Sequence, residues 1–252
     1  MDAWYFIPSL ILVGFVVGFI NTIAGGGSLL SLPLLIFFGL PPATANGTNR
    51  VAIVIQTFIA TLGFRSKGVA TFPFNTYVGI SALFGAIIGA KIAVEIDERL
   101  FNKILAIIMG VVMVLMFIKP KINISELNER LQGKYLALGM VVFFILGIYG
   151  GFINAGIGFL IILYLHWVHH MSLVRTNATK VFVVFLYSMA ALVVFILNDK
   201  VDFMVGLILA IGNASGAWIS SRLSVKKGDG FIRTFLIVMV AVLAIKLWFF
   251  EV

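Results

Sequence analysis

Ten apolar stretches follow one another along the chain, divided by short polar, glycine or proline segments, and no other feature limits the fold so sharply. They run over roughly 4–24, 27–40, 47–64, 73–94, 100–118, 134–155, 158–171, 174–197, 202–221 and 230–250. A helix needs about 20 apolar residues to span a bilayer core, and most of these stretches have that length. Within hydrocarbon every backbone N–H and C=O must be satisfied by the protein itself, which admits only helices and closed barrels. The stretches show little of the period-two alternation of a barrel strand. The expectation is therefore an all-α polytopic membrane protein. Charge agrees, since 11% of the 252 residues are charged and 62% are hydrophobic, against about 25% charged in soluble domains. Stretch 4–24 has no basic leader and no small-residue cleavage site, so it reads as a first membrane helix rather than a removed signal.

Stretches 27–40 and 158–171 are short. Fourteen residues of helix reach about 21 Å, roughly two thirds of a 30 Å core. The halves also repeat. A shift of 131 residues carries Gly25 onto Gly156, Gly27 onto Gly158, Asn46 onto Asn177 and Thr48 onto Thr179. A shift of 133 carries Gly18-Phe19-Ile20-Asn21 onto Gly151-Phe152-Ile153-Asn154, and one of 127 carries Gly85 and Gly89 onto Gly212 and Gly216. Matches in one order along the chain indicate duplication. The expected organisation is a first membrane repeat over 1–118, an inter-repeat loop over 119–133 and a second repeat over 134–252.

Loop charge orients the repeats. If all ten stretches cross, the loops at 65–72, 119–134, 166–180 and 222–233 share one side and hold twelve of the eighteen Lys and Arg residues. If the two short stretches re-enter instead, the bias disappears. The positive-inside rule therefore favours ten crossings, inverted repeats of five segments each, and both termini outside the cytoplasm. On this reading the junctions after the short helices, at 41–48 and 171–179, dip toward the midplane from opposite sides. Opposed broken helices of that kind form transporter sites.

The polar residues gather where the apolar pattern breaks. Gly25-Gly26-Gly27-Ser28 opens a helix, and a glycine turn there offers backbone N–H groups and the positive dipole end to an oxyanion; tight helix packing is the plainer account. Asn46, Thr48, Asn49 and Arg50 follow, echoed by Asn177, Thr179 and Lys180. They are either N-caps or neutral hydrogen-bond formers beside a cation. Asn21 and Asn154 precede the two glycine turns. The candidate substrate-binding set is thus Asn21, Gly25 to Ser28, Asn46, Thr48, Asn49 and Arg50 from the first half. Asn154, Gly156, Gly158, Asn177, Thr179 and Lys180 supply the second. Gln56 and Tyr187 are weaker candidates.

His166, His169 and His170 lack a nearby carboxylate or thiol to complete a metal shell and read as an interfacial loop. With no cysteine in the chain, disulfides, thiolate metal sites and thiol catalysis are excluded. No spacing supports pairing Ser28 with a histidine for hydrolysis. No catalytic residue, metal or cofactor is expected. The Lys and Arg residues sit in short loops, so the net charge of +8 orients the chain in a bilayer rather than binding nucleic acid. No Asp or Glu falls at the centre of a stretch, where a proton-coupled carrier usually keeps one.

Gly18-Phe19, Gly25-Gly26-Gly27-Ser28, Pro33, Gly39, Ala45-x-Gly47-Thr48-Asn49 and Gly68-Val69 resemble the sulfite exporter TauE/SafE family, also called the TSUP permeases. The resemblance covers nearly the whole chain. The second half departs from the family's second repeat at Phe159, Tyr164 and Ala178-Thr179-Lys180. Membership implies an inner-membrane exporter of small sulfur-containing anions such as sulfite or organosulfonates, working by alternating access. An anion channel, a non-transporting membrane scaffold and a homo-oligomeric state stay open.

Overall fold

A computed structural model describes residues 3–116 and 128–249. Most of the 119–133 connection, with Lys119 and Lys121, lies outside them. Among the described residues the chain forms helices and no strands. They are α1 Ala3–Ala24, α2 Ser28–Phe37, α3 Pro42–Arg65, α4 Phe74–Glu95, α5 Glu98–Met116, α6 Lys134–Phe152, α7 Ile157–Val168, α8 Leu173–Leu197 and α9 Phe203–Phe249. Gly228 interrupts α9 with φ 71° and ψ −169°. That break divides α9 into two helices end to end, so ten helical segments stand where ten apolar stretches were predicted.

Five helices, α1, α4, α6, α8 and α9, contain windows long and apolar enough to cross a membrane. At 10 and 12 residues, α2 and α7 reach only about half of a bilayer core. Although α3 has the length, with 24 residues, it carries Asn46, Thr48, Asn49, Arg50 and Gln56 and is not among the five. Large apolar side chains such as Phe84 and Leu197 point outward, which lipid accommodates and water does not.

The start of α3 differs from expectation. Proline's fixed φ suits a first helical turn, where the N–H would have no partner anyway. The helix therefore begins at Pro42 and not at residue 47. Asn46 to Arg50 lie on its second and third turns, so they are not N-caps. The N-cap of α8 is Ser172, whose hydroxyl accepts from the Arg175 N–H.

Packing repeats between the halves. Helix α1 lies along α9 as α6 lies along α4, α3 lies against α9 as α8 lies against α4, and α3 meets α8 at the centre. Glycines make these contacts possible. Gly14 and Gly18 rest on the α9 backbone at Leu209 and Asn213, while Gly147 and Gly151 rest on the α4 backbone at Ala82 and Ala86. An added Cβ would overlap the opposing chain at each point. Two lipid-immersed helices gain little by hiding apolar side chains from each other, so close backbone approach supplies the attraction instead. Each half's first helix thus leans on the other half's fourth, and the halves interlock.

Several basic loops gather at one end of the bundle. Arg175 Nε lies 3.0 Å from Glu129 Oε1, and the Arg130 N–H donates to the His169 carbonyl. The Asp229 carboxylate accepts from the Leu173 and Val174 N–H groups, and Arg222 reaches the Ser66 hydroxyl at 3.4 Å.

Candidate functional site

Gly25, at φ 77°, ends α1, and Gly156, at φ 71°, precedes α7. Both are left-handed conformations that glycine adopts without a Cβ clash. The chain turns back at each, so α1–α2 and α6–α7 are hairpins. Their tips meet, because the backbones of Gly25 and Gly158 touch. The expectation that the junctions after the short helices approach one another is corrected here. The junction after α7 lies at the basic end, against Arg130, and Pro41 is exposed. Two backbones can meet where no side chain intervenes, and the glycine turns, not the prolines, satisfy that.

Breaking a helix inside the protein leaves its last carbonyls without partners. Side chains from the other half supply them. At the end of α1, Asn177 Nδ2 donates to the Ile23 carbonyl at 3.0 Å. Lys180 Nζ donates to the Asn21 and Thr22 carbonyls at 3.1 and 2.8 Å. At the end of α6, Asn46 Nδ2 donates to the Phe152 carbonyl at 2.7 Å, and an Arg50 Nη donates to the Gly151 carbonyl at 2.9 Å. A cation at a helix C-terminus also meets the negative end of its dipole. The amide and cation of α3 therefore close α6, and those of α8 close α1.

Between the hairpin tips lies a cavity of about 10 Å³, lined by Asn21, Gln56, Thr57, Asn154, Gly158 and Lys180 among others. Its polar walls are paired in matching ways. Asn21 donates to Gln56 Oε1 at 3.3 Å, and Asn213 donates to the same oxygen at 3.2 Å. Asn154 donates to the Ser28 hydroxyl at 3.1 Å and accepts from the Tyr187 hydroxyl. The shift of 131 carries Gln56 onto Tyr187, and their asparagine partners, Asn21 and Asn154, correspond under the shift of 133. Tyr149, on the last turn of α6, donates to the Ala155 carbonyl in the turn.

Two cations sit in this interior. Arg50 is 0% exposed and Lys180 is 2% exposed, and neither is paired with a carboxylate among the described residues. All three Lys180 donors are used, the third on Asn177 Oδ1 at 2.7 Å. Arg50 keeps Nε and one Nη without partners, and its guanidinium lies 5.7 Å from the centre of the Phe195 ring. Charged groups with open donors in a dry interior hold an anion strongly.

Of the other predicted residues, Thr48 accepts from the Asp202 N–H at 2.8 Å and Thr179 pairs with the Thr71 hydroxyl. Both stand away from the cavity. Asn49 is buried with its Oδ1 unpaired. The amide N–H groups of Gly26 and Gly27 meet no acceptor among the described residues. Asn213, Tyr149 and Thr71 were not singled out in the sequence. The histidines are not a loose interfacial loop. His166 and His169 are buried, and a ring nitrogen of each bonds a backbone carbonyl, of Met171 and Arg130 respectively. Burial lowers the affinity of His169 for a proton below the usual histidine value, with His170 adding to that and the Arg130 carbonyl opposing it.

An all-helical bundle with lipid-facing flanks and a closed, polar, cationic centre is the build of a membrane transporter. The chain belongs to the sulfite exporter TauE/SafE family, whose profile matches residues 10–247. A "Probable membrane transporter protein" of Haemophilus influenzae is 29% identical over 238 residues, covering 94% of this chain and 92% of that protein. The "Probable membrane transporter protein YfcA" of Escherichia coli (strain K12) is 28% identical over 239 residues, covering 94% and 88%. The "Probable membrane transporter protein ORF9" of Sinorhizobium sp is 26% identical over 245 residues, covering 97% and 93%. No solved structure matches the chain.

Proposed function

We propose that the protein exports small sulfur-containing anions, such as sulfite or organosulfonates, across the inner membrane by alternating access. The observation that carries this reading is the pair of buried cations, Arg50 and Lys180, with no carboxylate beside them among the described residues. Burying charge is costly without compensation. Lys180 has found its partners in helix ends, whereas Arg50 has two nitrogens left over. The unpaired N–H groups of the first glycine turn add donors at a helix N-terminus, where anions are favoured. Asn154, Ser28 and Tyr187 supply neutral groups around the same point. The family name supports sulfur oxyanions as cargo.

The tight central cavity favours alternating access over an open pore. The exchangeable packing of the halves suits inverted repeats that rock about the hairpin tips. Export of a monovalent anion from a negative interior is favourable by about 2.3 kcal/mol per 100 mV, so no coupling carboxylate is required. Proteoliposomes loaded in turn with sulfite, sulfate, acetate and methanesulfonate test the proposal. Saturable efflux of sulfite or the sulfonate is expected. Non-saturating flux without exchange points to a channel, and folded protein that moves none of the four overturns the reading.

A further inference from the structure

The two halves pack alike at the centre but not at their outer approaches. Beside the C-terminal end of α3, a cleft of about 400 Å³ opens among Thr61, Arg65, Thr71, Asn75, Ala178 and Phe182. Arg65 is exposed on its rim. Asn75 is 8% exposed, yet its Oδ1 has no hydrogen-bond partner. At the inner end the Thr71 and Thr179 hydroxyls bond to each other across the halves. Lys180, next along α8, lines the central cavity. On α3, Thr57 lines the central cavity and Thr61, one turn on, lines the cleft. On α8, Val181 and Phe182 divide in the same way. About one helical turn and one hydroxyl pair separate the two spaces.

The matching place in the other half is filled. The shift of 131 carries Thr71 onto Asp202, Asn75 onto Gly206, Gly47 onto Ala178 and Val51 onto Phe182. There the Gly47 backbone lies against the Lys200 carbonyl, and Gly206 lies against the Thr48 carbonyl and the Val51 side chain. The Asp202 N–H is fastened to the Thr48 hydroxyl. Two glycines let that seam shut backbone to backbone, where the open side has an alanine and an asparagine.

The geometry points to the cleft as the loading site for a small anionic sulfonate or sulfite-like cargo on the basic face of the bundle. Arg65 attracts the anion, the Asn75 amide receives it once turned to present Nδ2–H in place of the unpaired Oδ1, and the Thr71–Thr179 pair is the door to the central cavity. The opposite approach is closed in this conformation. Lys and Arg bias places the basic face in the cytoplasm. The inference rests on the proposed function only for the class of cargo.

Because the chain has no cysteine, single cysteines report access without background. Asn75→Cys and Ala178→Cys probe the cleft, and Val51→Cys probes the sealed seam. Inside-out and right-side-out vesicles are treated with sulfonatoethyl methanethiosulfonate, an anionic sulfonate. A cationic trimethylammonium analogue serves as control, and each rate is normalised to that with a free thiol. Both cleft cysteines should react from the cytoplasmic face, about tenfold faster with the anion, as a positive, walled cleft concentrates its counter-ion. Arg65→Gln should reduce that ratio, and methanesulfonate should slow the reaction. Val51→Cys should stay unreactive from either face. Cleft cysteines that resist both reagents, as they would beneath lipid, overturn the inference; so does a preference for the cation or equal labelling of Val51→Cys. Selective labelling without flux in proteoliposomes would leave the cleft standing and remove the transport reading. Flux with an unreactive cleft would do the reverse.

Discussion

Arg50 on α3 and Lys180 on α8 stand one place out of register, since the shift of 131 carries Asn49 onto Lys180, yet each closes the broken end of the other half's first helix. Their bonding differs. Lys180 spends all three donors on Asn21, Thr22 and Asn177, so it is a structural pin. Arg50 spends one N–H on Gly151 and keeps two nitrogens unpaired. A guanidinium presents five donors in a rigid fork, and an ammonium presents three on a compact head. Either cation can therefore fix a helix end, but only arginine has donors to spare. The two halves fasten their broken helix ends with the same kinds of group and differ in the donors left open.

The strongest way to break this comparison is at the hairpin tips. Gly25→Ala introduces a Cβ into the backbone of Gly158 and places alanine in a left-handed conformation. A loss of roughly 4 kcal/mol or more is expected, seen as failure to obtain monodisperse protein. Gly156→Ala places alanine in a left-handed conformation, at about 1–2 kcal/mol, and should fold with a lower melting temperature. Equal losses would show that the tips do not touch as described.

Next come the cations. Lys180→Met strands the Thr22 carbonyl and Asn177 Oδ1, the Asn21 carbonyl keeping the Gly25 N–H, and should cost roughly 2–3 kcal/mol, with thermal unfolding in detergent as the readout. Arg50→Met loses one bond, about 1 kcal/mol, yet should lower anion flux at least about tenfold, since a charge-assisted contact of about 1.5–3 kcal/mol disappears. Flux per folded molecule falling equally in both variants would sink the division of labour. The smallest effects belong to the amides. Asn46→Ala and Asn177→Ala should each cost about 0.6 kcal/mol. Asn177→Ala should cost slightly more, because Asn177 Oδ1 also holds Lys180.

Much of the fold could be read from the sequence, because in lipid the apolar run length and the helix are nearly the same fact. All ten stretches reappear, and the glycine repeats at Gly85, Gly89, Gly212 and Gly216 mark helix contacts. The start of α3 was misplaced because Asn46 to Arg50 look like a loop to any hydropathy argument, and only their partners across the molecule show why a helix tolerates them. The predicted polar residues divide for the same reason. Asn21, Asn154, Gly158 and Lys180 reach the cavity, whereas Thr48 and Thr179 bond Asp202 and Thr71 away from it. Linear spacing names a polar side chain, but its role depends on which carbonyl or hydroxyl the other half brings to it.

The crossed closure of the two hairpins has a consequence for how the chain is made. The carbonyls of Thr22 and Ile23 enter the bilayer early in synthesis, and the side chains that cover them lie 154 to 158 residues downstream. At 5–20 residues per second, roughly 8–30 seconds separate the two events. Bare carbonyls are costly in hydrocarbon throughout that interval. The nascent first hairpin therefore needs a temporary host, in water or in the insertion machinery, until α8 leaves the ribosome. A chain truncated before Asn177 would carry that exposed end permanently, a ready mark for a membrane protease.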